Sequence, residues 1–244
     1  MNSIIVCEGQ TDGILISYGL EKLSGWSFVK GKEVREKQNL AFAEFEMNWY
    51  KRDGDYLGII IAGGNDFRKI TSQISERNTY QFAISKLIVV TDHDDIDAEA
   101  DRFKDVIASI ANFDEDKIKT FSIGRWNEYS FRDKLGNEGM FEFYYLLIPE
   151  QNFGAMETFV AEEISNIGID EQYAAEQVND FVENKFESAK FLTKRRERIK
   201  AKLSVLLSVI SPDRTFTTIN EYLKSVDWNE FEGYKNTFKV VTEL

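Results

Sequence analysis

The chain opens on a near-continuous apolar run, Ser3 to Cys7, which lacks the alternation of a half-exposed strand and so predicts a strand buried on both faces. The same signature returns at Tyr56 to Ala62 and, most clearly, at Leu87 to Val90. Between these runs the apolar positions take helical spacing. Gly9 to Asp12 turns the chain, Thr11 or Asp12 can cap, and Ile14 to Leu23 is expected to be helical. Trp26 to Val29 is a candidate second strand, and Phe42, Phe45 and Trp49, three and four apart, predict a helix over Gln38 to Lys51. Gly63, Gly64 and Asn65 turn the chain into a helix over Phe67 to Ser75. Phe103, Val106, Ile107 and Ile110 mark another helix, and Lys119 to Ile123 reads as a further strand. Strands and helices thus alternate, as in a parallel sheet joined by crossover helices.

From Arg125 to Asn137 the pattern loosens. Met140 to Ile148 reads as an apolar strand closed by Pro149, and Gly154 to Ile164 as a helix. From about Glu171 onward the chain reads as mostly helical, with Ile199, Leu203, Leu206 and Ile210 on one face until Pro212 ends it. There is no internal repeat and no linker rich in Pro, Gly or Ser. The expected fold class is α/β: a Rossmann-like parallel sheet with helices on both faces over residues 1–125, and a strand plus mostly helical region over 126–244 packed on the same core.

Composition narrows the function. With 244 residues and 43% apolar residues the chain can bury a large core, which excludes a disordered tail protein. Cys7 is the single cysteine, so neither a disulfide framework nor a thiolate zinc site is available. His93 is the single histidine, which removes two-histidine zinc protease chemistry. No apolar run approaches the roughly 20 residues of a membrane span, and the first residues lack a signal-peptide pattern, so a cytoplasmic setting without membrane contact is expected. No Gly-x-Gly-x-x-Gly or Walker pattern occurs. The net charge of -12 argues against a nonspecific nucleic-acid coat. It leaves room for a nucleic-acid enzyme, because carboxylates that hold divalent cations add negative charge while creating a site for phosphate.

Two acidic motifs sit where an open parallel sheet places its ligands, at the carboxyl ends of strands. They are Glu8-Gly9-Gln10-Thr11-Asp12 and Asp92-His93-Asp94-Asp95. Like charges a few ångströms apart raise one another's pKa unless a cation neutralises them, and magnesium, which takes hard oxygen ligands and phosphate oxygens together, suits this set. Asp92 and Asp94 can turn toward one ion, and Glu8 can serve as a third ligand or a base. Gly9, lacking Cβ, would let a phosphate approach and would permit unusual φ. His93, between the two aspartates, alternates away from them and is not assigned to catalysis. Cys7 reads as a small core residue.

These motifs resemble those of the Toprim domain of topoisomerases, bacterial primases, recombination-repair proteins and nucleases of the overcoming-lysogenisation-defect type. The resemblance spans residues 1–125, and the Glu8-Gly9-x-Thr11-Asp12 form is similar to the nuclease branch. It implies that Glu8, Asp92 and Asp94 are catalytic and that Glu8, Asp12, Asp92 and Asp94 bind Mg2+ or Mn2+. The remainder resembles an uncharacterised set of Toprim-like bacterial proteins with a Gly-Gly turn, a Pro149 to Glu157 segment containing Gly154, and a later Lys-x-Lys helix.

Other residues carry two readings. Asp12 could bind metal or simply cap a helix starting near Ile14. Asp95 and Asp97 suit the N-terminal dipole of a following helix. Glu157 could complete a second metal site, with a surface glutamate as the preferred reading. Gly9, Gly63 and Gly64 could admit a phosphate, though a strand-to-helix turn accounts equally for Gly63 and Gly64. Lys194, Arg198 and Lys202, spaced by four in the one basic cluster, could follow a nucleic-acid backbone or pair with neighbouring acids. The leading expectation is a magnesium-dependent Toprim-type nuclease acting on DNA or RNA. The alternative is a non-catalytic metal- or phosphate-binding module with a protein partner in a defence or repair complex.

Overall fold

The apolar runs of the sequence occupy the middle of a seven-stranded sheet of order β2-β3-β4-β1-β5-β7-β6. Its strands are β1 (Asn2–Cys7), β2 (Ser27–Val29), β3 (Glu46–Arg52), β4 (Asp55–Ile61), β5 (Lys86–Asp92), β6 (Asn127–Arg132) and β7 (Glu138–Ile148). The computed structural model describes residues 2–38, 45–63, 67–80, 84–93, 121–132, 135–136, 138–185, 190–214 and 218–244. Strands β4, β1, β5 and β7 are parallel neighbours, flanked by antiparallel β3 and β6. The fold is α/β with a mixed sheet, and the sheet continues across residue 125.

Period-two alternation sends successive side chains of the central strands to opposite faces. Ile5, Cys7, Ile59, Ile61, Ile88 and Val90 share one core with Leu15 and Ile16 of α1 (Gln10–Tyr18) and with the C-terminal helices. Ile4, Val6, Ile60, Leu87 and Val89 share the other with Val34 of α2 (Gly31–Gln38) and with Phe67, Ile70 and Ile74 of α3 (Phe67–Tyr80). After β7 come α4 (Met156–Ser165), α5 (Ile169–Asp180), α6 (Arg195–Ile210), α7 (Ile219–Ser225), α8 (Glu232–Thr237) and α9 (Lys239–Thr242). A π-helical turn extends α1 over Gly19–Leu23 and another extends α5 over Phe181–Lys185.

Three sequence expectations are corrected. The helix expected over Gln38 to Lys51 gives way to a strand in its last part: β3 covers Glu46–Arg52, while residues 39–44 lie outside the described residues. Trp49 and Tyr50 point into opposite cores. The spacing of four between Phe45 and Trp49 fits a helix but is also a multiple of the strand period, and pairing with β4 decides for the strand. Asp53 (φ 52°) and Gly54 (φ 94°) close that hairpin, taking the left-handed backbone that an Asp-Gly turn supplies. The strand expected to run to Ile123 is absent over 121–123. Instead the buried Asn127 side chain closes that segment, accepting from Ser122 N–H (2.8 Å) and donating to the carbonyls of Ser122 (2.9 Å) and Arg125 (2.8 Å). The loosely patterned stretch beyond Arg125 contains β6. The helix expected around 103–110 lies outside the described residues.

The C-terminal helices are tied to α1 and α4 by buried aromatic and polar contacts. Tyr234 OH donates to the Leu15 carbonyl (2.5 Å), and Phe238 packs edge-on to Phe159 at 5.9 Å. Glu163 of α4 is 8% exposed, and its Oε2 accepts from Tyr234 N–H (3.0 Å) at the start of α8. Burial raises its pKa, while the N–H groups of Tyr234 and Gly233 pull the other way. A Cβ at Gly233 would stand 1.9 Å from Glu163 Oε1, inside contact distance. Gly233→Ala is therefore expected to push the carboxylate off the helix terminus and destabilise the protein by about 1–3 kcal/mol in urea titrations. An unchanged urea midpoint would show that Glu163 relaxes without loss.

Candidate functional site at the carboxyl rim of the sheet

Parallel register brings the candidate residues to one edge. Cys7 is level with Ile61 of β4 and Val90 of β5, and Asp92 is level with Ile148 of β7. Glu8 therefore leaves β1 on the same rim where Asp92 ends β5 and where the chain leaves β7 toward α4. The Ala62 and Gly63 N–H groups donate to the carbonyls of Cys7 (2.8 Å) and Glu8 (2.9 Å), fastening the end of β4 to this segment.

Helix α1 begins at Gln10, four residues earlier than expected, so Asp12 lies within its first turn rather than before it. Its Oδ2 accepts from Gly9 N–H (2.7 Å), the backward half of a capping box. The carboxyl is 5% exposed. Burial, then the charge of Asp92, push its pKa up to about 8, with the Gly9 hydrogen bond opposing and Glu8 and Glu157 adding to the rise. Asp12 thus sits in the combined negative field of three other carboxylates.

Asp92, 8% exposed, reaches from the end of β5 to the start of α4, where Oδ1 accepts from Met156 N–H (3.0 Å). The residue preceding α4, Ala155, has no side-chain oxygen to cap it, and Asp92 fills that role across 64 positions of chain. Its side chain meets the positive end of a helix dipole there. Asp94, Asp95, Asp97 and Gly64 lie outside the described residues. Among the described residues no group of three or more His, Cys, Asp or Glu side chains is arranged to hold a metal ion.

Glu157, expected at the surface, is instead part of the rim. Its side chain is 15% exposed, it belongs to the first turn of α4, and Lys200 Nζ lies 3.9 Å from its Oε1. The sequence signal for it is its place in the first turn of the helix that follows a fourth parallel strand. The donor set fits magnesium or manganese by its chemistry, since Glu8, Asp12, Asp92 and Glu157 all offer hard carboxylate oxygens.

The remaining candidates take other roles. Gly9 has φ -135° and ψ 173°, extended backbone open to any residue, so the expected need for unusual φ there is corrected. Gly63 does adopt positive φ (61°), and the turn with its bond to Glu8 accounts for it. His93 is locked into the loop beyond β7: its Nδ1–H donates to the Pro149 carbonyl (2.9 Å), and its backbone exchanges bonds with Ile148 and Gly154. Cys7 is fully buried, and burial, followed by Asp12 and Glu8, raises its thiol pKa well above the usual range.

The basic cluster divides between two tasks. Arg198 and Lys202 grip Glu183, on the π-helical turn after α5, at 2.9 and 2.6 Å. The hydrogen bond from Lys202 leads in lowering the Glu183 pKa. Lys194 precedes α6, and its N–H donates to Glu197 Oε2 (2.9 Å). Lys200, not among the three expected residues, is the cation that faces Glu157. Helices α4, α5 and α6 enclose a groove of about 640 Å³ that runs from Phe153 and Glu157 past Arg195, Arg198 and Lys202.

The fold and rim define an α/β protein with a carboxylate-rich edge on its parallel strands. Over residues 2–238 the chain matches, and belongs to, the family described as protein of unknown function DUF3226. No curated protein matches it in sequence. A hypothetical protein from Pyrococcus horikoshii OT3 is similar in structure, with a TM-score of 0.47 and 13% identity over 99% of this chain and 98% of that one. Among the described residues no helix is long and apolar enough to cross a membrane.

Proposed function

We propose that this protein is a Toprim-type, magnesium- or manganese-dependent nuclease that hydrolyses phosphodiester bonds of nucleic acid in the cytoplasm. The observation that carries the reading is the convergence of the buried Asp12 and Asp92 with Glu8 and Glu157 at one rim, where burial and the neighbouring charges push the Asp12 pKa up to about 8. A fold tolerates such convergence where a cation can replace the proton. Glu8, Asp12, Asp92 and Asp94 would hold the ion, with Glu157 beside them. When bound, it supplies Lewis-acid neutralisation of the phosphate charge. The chain's own residues do the rest: Glu8 accepts a proton from attacking water, Asp92 keeps α4 docked against the rim, and Lys200 places a positive charge next to it.

A second reading, a metal- or phosphate-binding interaction module without turnover, draws on the hydrogen bonds of Asp12 and Asp92 to helix-terminal N–H groups. Incubation with single-stranded, duplex and supercoiled substrates plus magnesium or manganese separates the two. Cleavage by the wild type that falls on the order of 10²-fold or more in both Glu8→Gln and Asp92→Asn is the expected result. Cation binding by calorimetry without any cleavage favours the module, and absence of both removes the metal site.

A further inference from the structure

The groove between α4, α5 and α6 starts at the carboxylate rim, and its contents differ from a plain phosphate track. Arg195, Arg198 and Lys202 contribute to its wall together with Glu157, Glu162 and Glu183, while Ala161, Val178 and Leu206 give it an apolar lining. At its mouth stands Phe153, 51% exposed. The ring is not loosely placed. It meets His93 edge-to-face at 4.9 Å, and His93 is itself fixed through Pro149. The next residue, Gly154, donates its N–H to the His93 carbonyl (2.8 Å) and lies so near α4 that a Cβ would stand 2.8 Å from Thr158. Phe153 is thus a solvent-facing aromatic one residue before Gly154, which bridges to His93 just past β5, and four residues before Glu157.

We infer that this groove receives a single-stranded nucleic acid, with a base stacked on Phe153 and the adjoining phosphate directed toward the carboxylate rim. A duplex presents phosphates outward and hides the base faces, so an apolar lining and an exposed ring would gain nothing from it. A single strand is the polyanion that offers flat apolar faces as well as charge. Bases meet the ring and the apolar lining, and phosphates meet the cationic side chains of the wall, of which Arg198 and Lys202 are shared with Glu183. The inference rests on the nuclease reading for its direction toward the rim and names the form of substrate.

The test is fluorescence anisotropy with a labelled oligothymidylate, an abasic strand of equal length and a duplex, on wild type, Phe153→Ala and Phe153→Trp. The variants alter an exposed side chain, and thermal melting checks that they remain folded. Phe153→Ala is expected to bind oligothymidylate roughly 5- to 100-fold more weakly, with Phe153→Trp restoring affinity and the abasic strand indifferent to the change. Equal affinity of wild type and Phe153→Ala, or preference of the wild type for duplex, overturns the inference. Cleavage with magnesium or manganese is measured on the same preparations. Phe153-dependent binding without cleavage sinks hydrolysis and keeps the groove, whereas cleavage indifferent to Phe153 keeps hydrolysis and sinks the groove.

Discussion

Replacing Trp228 by alanine is expected to destabilise the whole chain by about 3–5 kcal/mol, the range for removing a buried aromatic side chain. Trp228 is fully buried, and its indole N–H donates to the Leu223 carbonyl (2.8 Å) at the end of α7. Its ring lies 5.1 Å from Phe231 and 5.7 Å from Tyr234, and Tyr234 in turn bonds to α1. Alanine would open a cavity and leave a carbonyl near the chain's apolar centre without its donor. Because the same core includes Ile5 and Ile88 of the central strands, the loss should appear as one cooperative transition moved to lower denaturant, by circular dichroism and by fluorescence of the three remaining tryptophans. Tyr234→Phe, which removes the hydroxyl's bond to the Leu15 carbonyl, should cost about 1 kcal/mol. A separate early transition confined to helical signal would instead show the C-terminal helices folding as an independent unit.

The strands that the sequence showed clearly are those whose burial does not depend on distant partners. β1, β4 and β5 are buried along nearly their whole length, so apolar runs alone mark them. β3 was misread because a spacing of four satisfies both periods, and the informative signal, Asp53-Gly54, lay in the turn and not in the apolar pattern. β6 is an edge strand bonded to β7 on one side, with a mixed sequence that has no strong period to detect.

At the site, local chemistry was legible and tertiary pairing was not. Glu8, Asp12 and Asp92 stand out as acids at strand ends, and parallel register explains why Glu8 and Asp92 share a rim. That Asp92 caps a helix 64 positions away depends on where α4 docks, which no local pattern encodes. The same docking brings Glu157 into the rim. Likewise a basic stripe spaced by four does not reveal which of its cations meets a partner: Arg198 and Lys202 turn to Glu183, and Lys200, out of that register, meets Glu157.

Asp12→Asn should raise the melting temperature of the metal-free protein at pH 8 and flatten its dependence on pH. In the unfolded chain this carboxyl titrates near its ordinary value of 3.8, and in the folded chain near 8. Between those limits the folded state holds a proton that the unfolded state has released, so stability falls as pH rises, by about 1.4 kcal/mol per pH unit for one such group. The stabilising contribution is complete below pH 3.8 and is lost as pH climbs through about 8, a span worth on the order of 5 kcal/mol. Asparagine keeps an oxygen to accept from Gly9 N–H and carries no charge, so the variant should match the wild type in acid and exceed it at pH 8. Divalent cation should act differently on the two proteins. Magnesium is expected to raise the wild-type melting temperature at pH 8 and to release protons, counted by calorimetry in buffers of different ionisation enthalpy, because the ion displaces the Asp12 proton. The Asp12→Asn variant should show little of either effect. Superimposable pH–stability curves for the two proteins would mean that Asp12 ionises in the fold as readily as in water, and would take away the electrostatic basis for a cation at this rim.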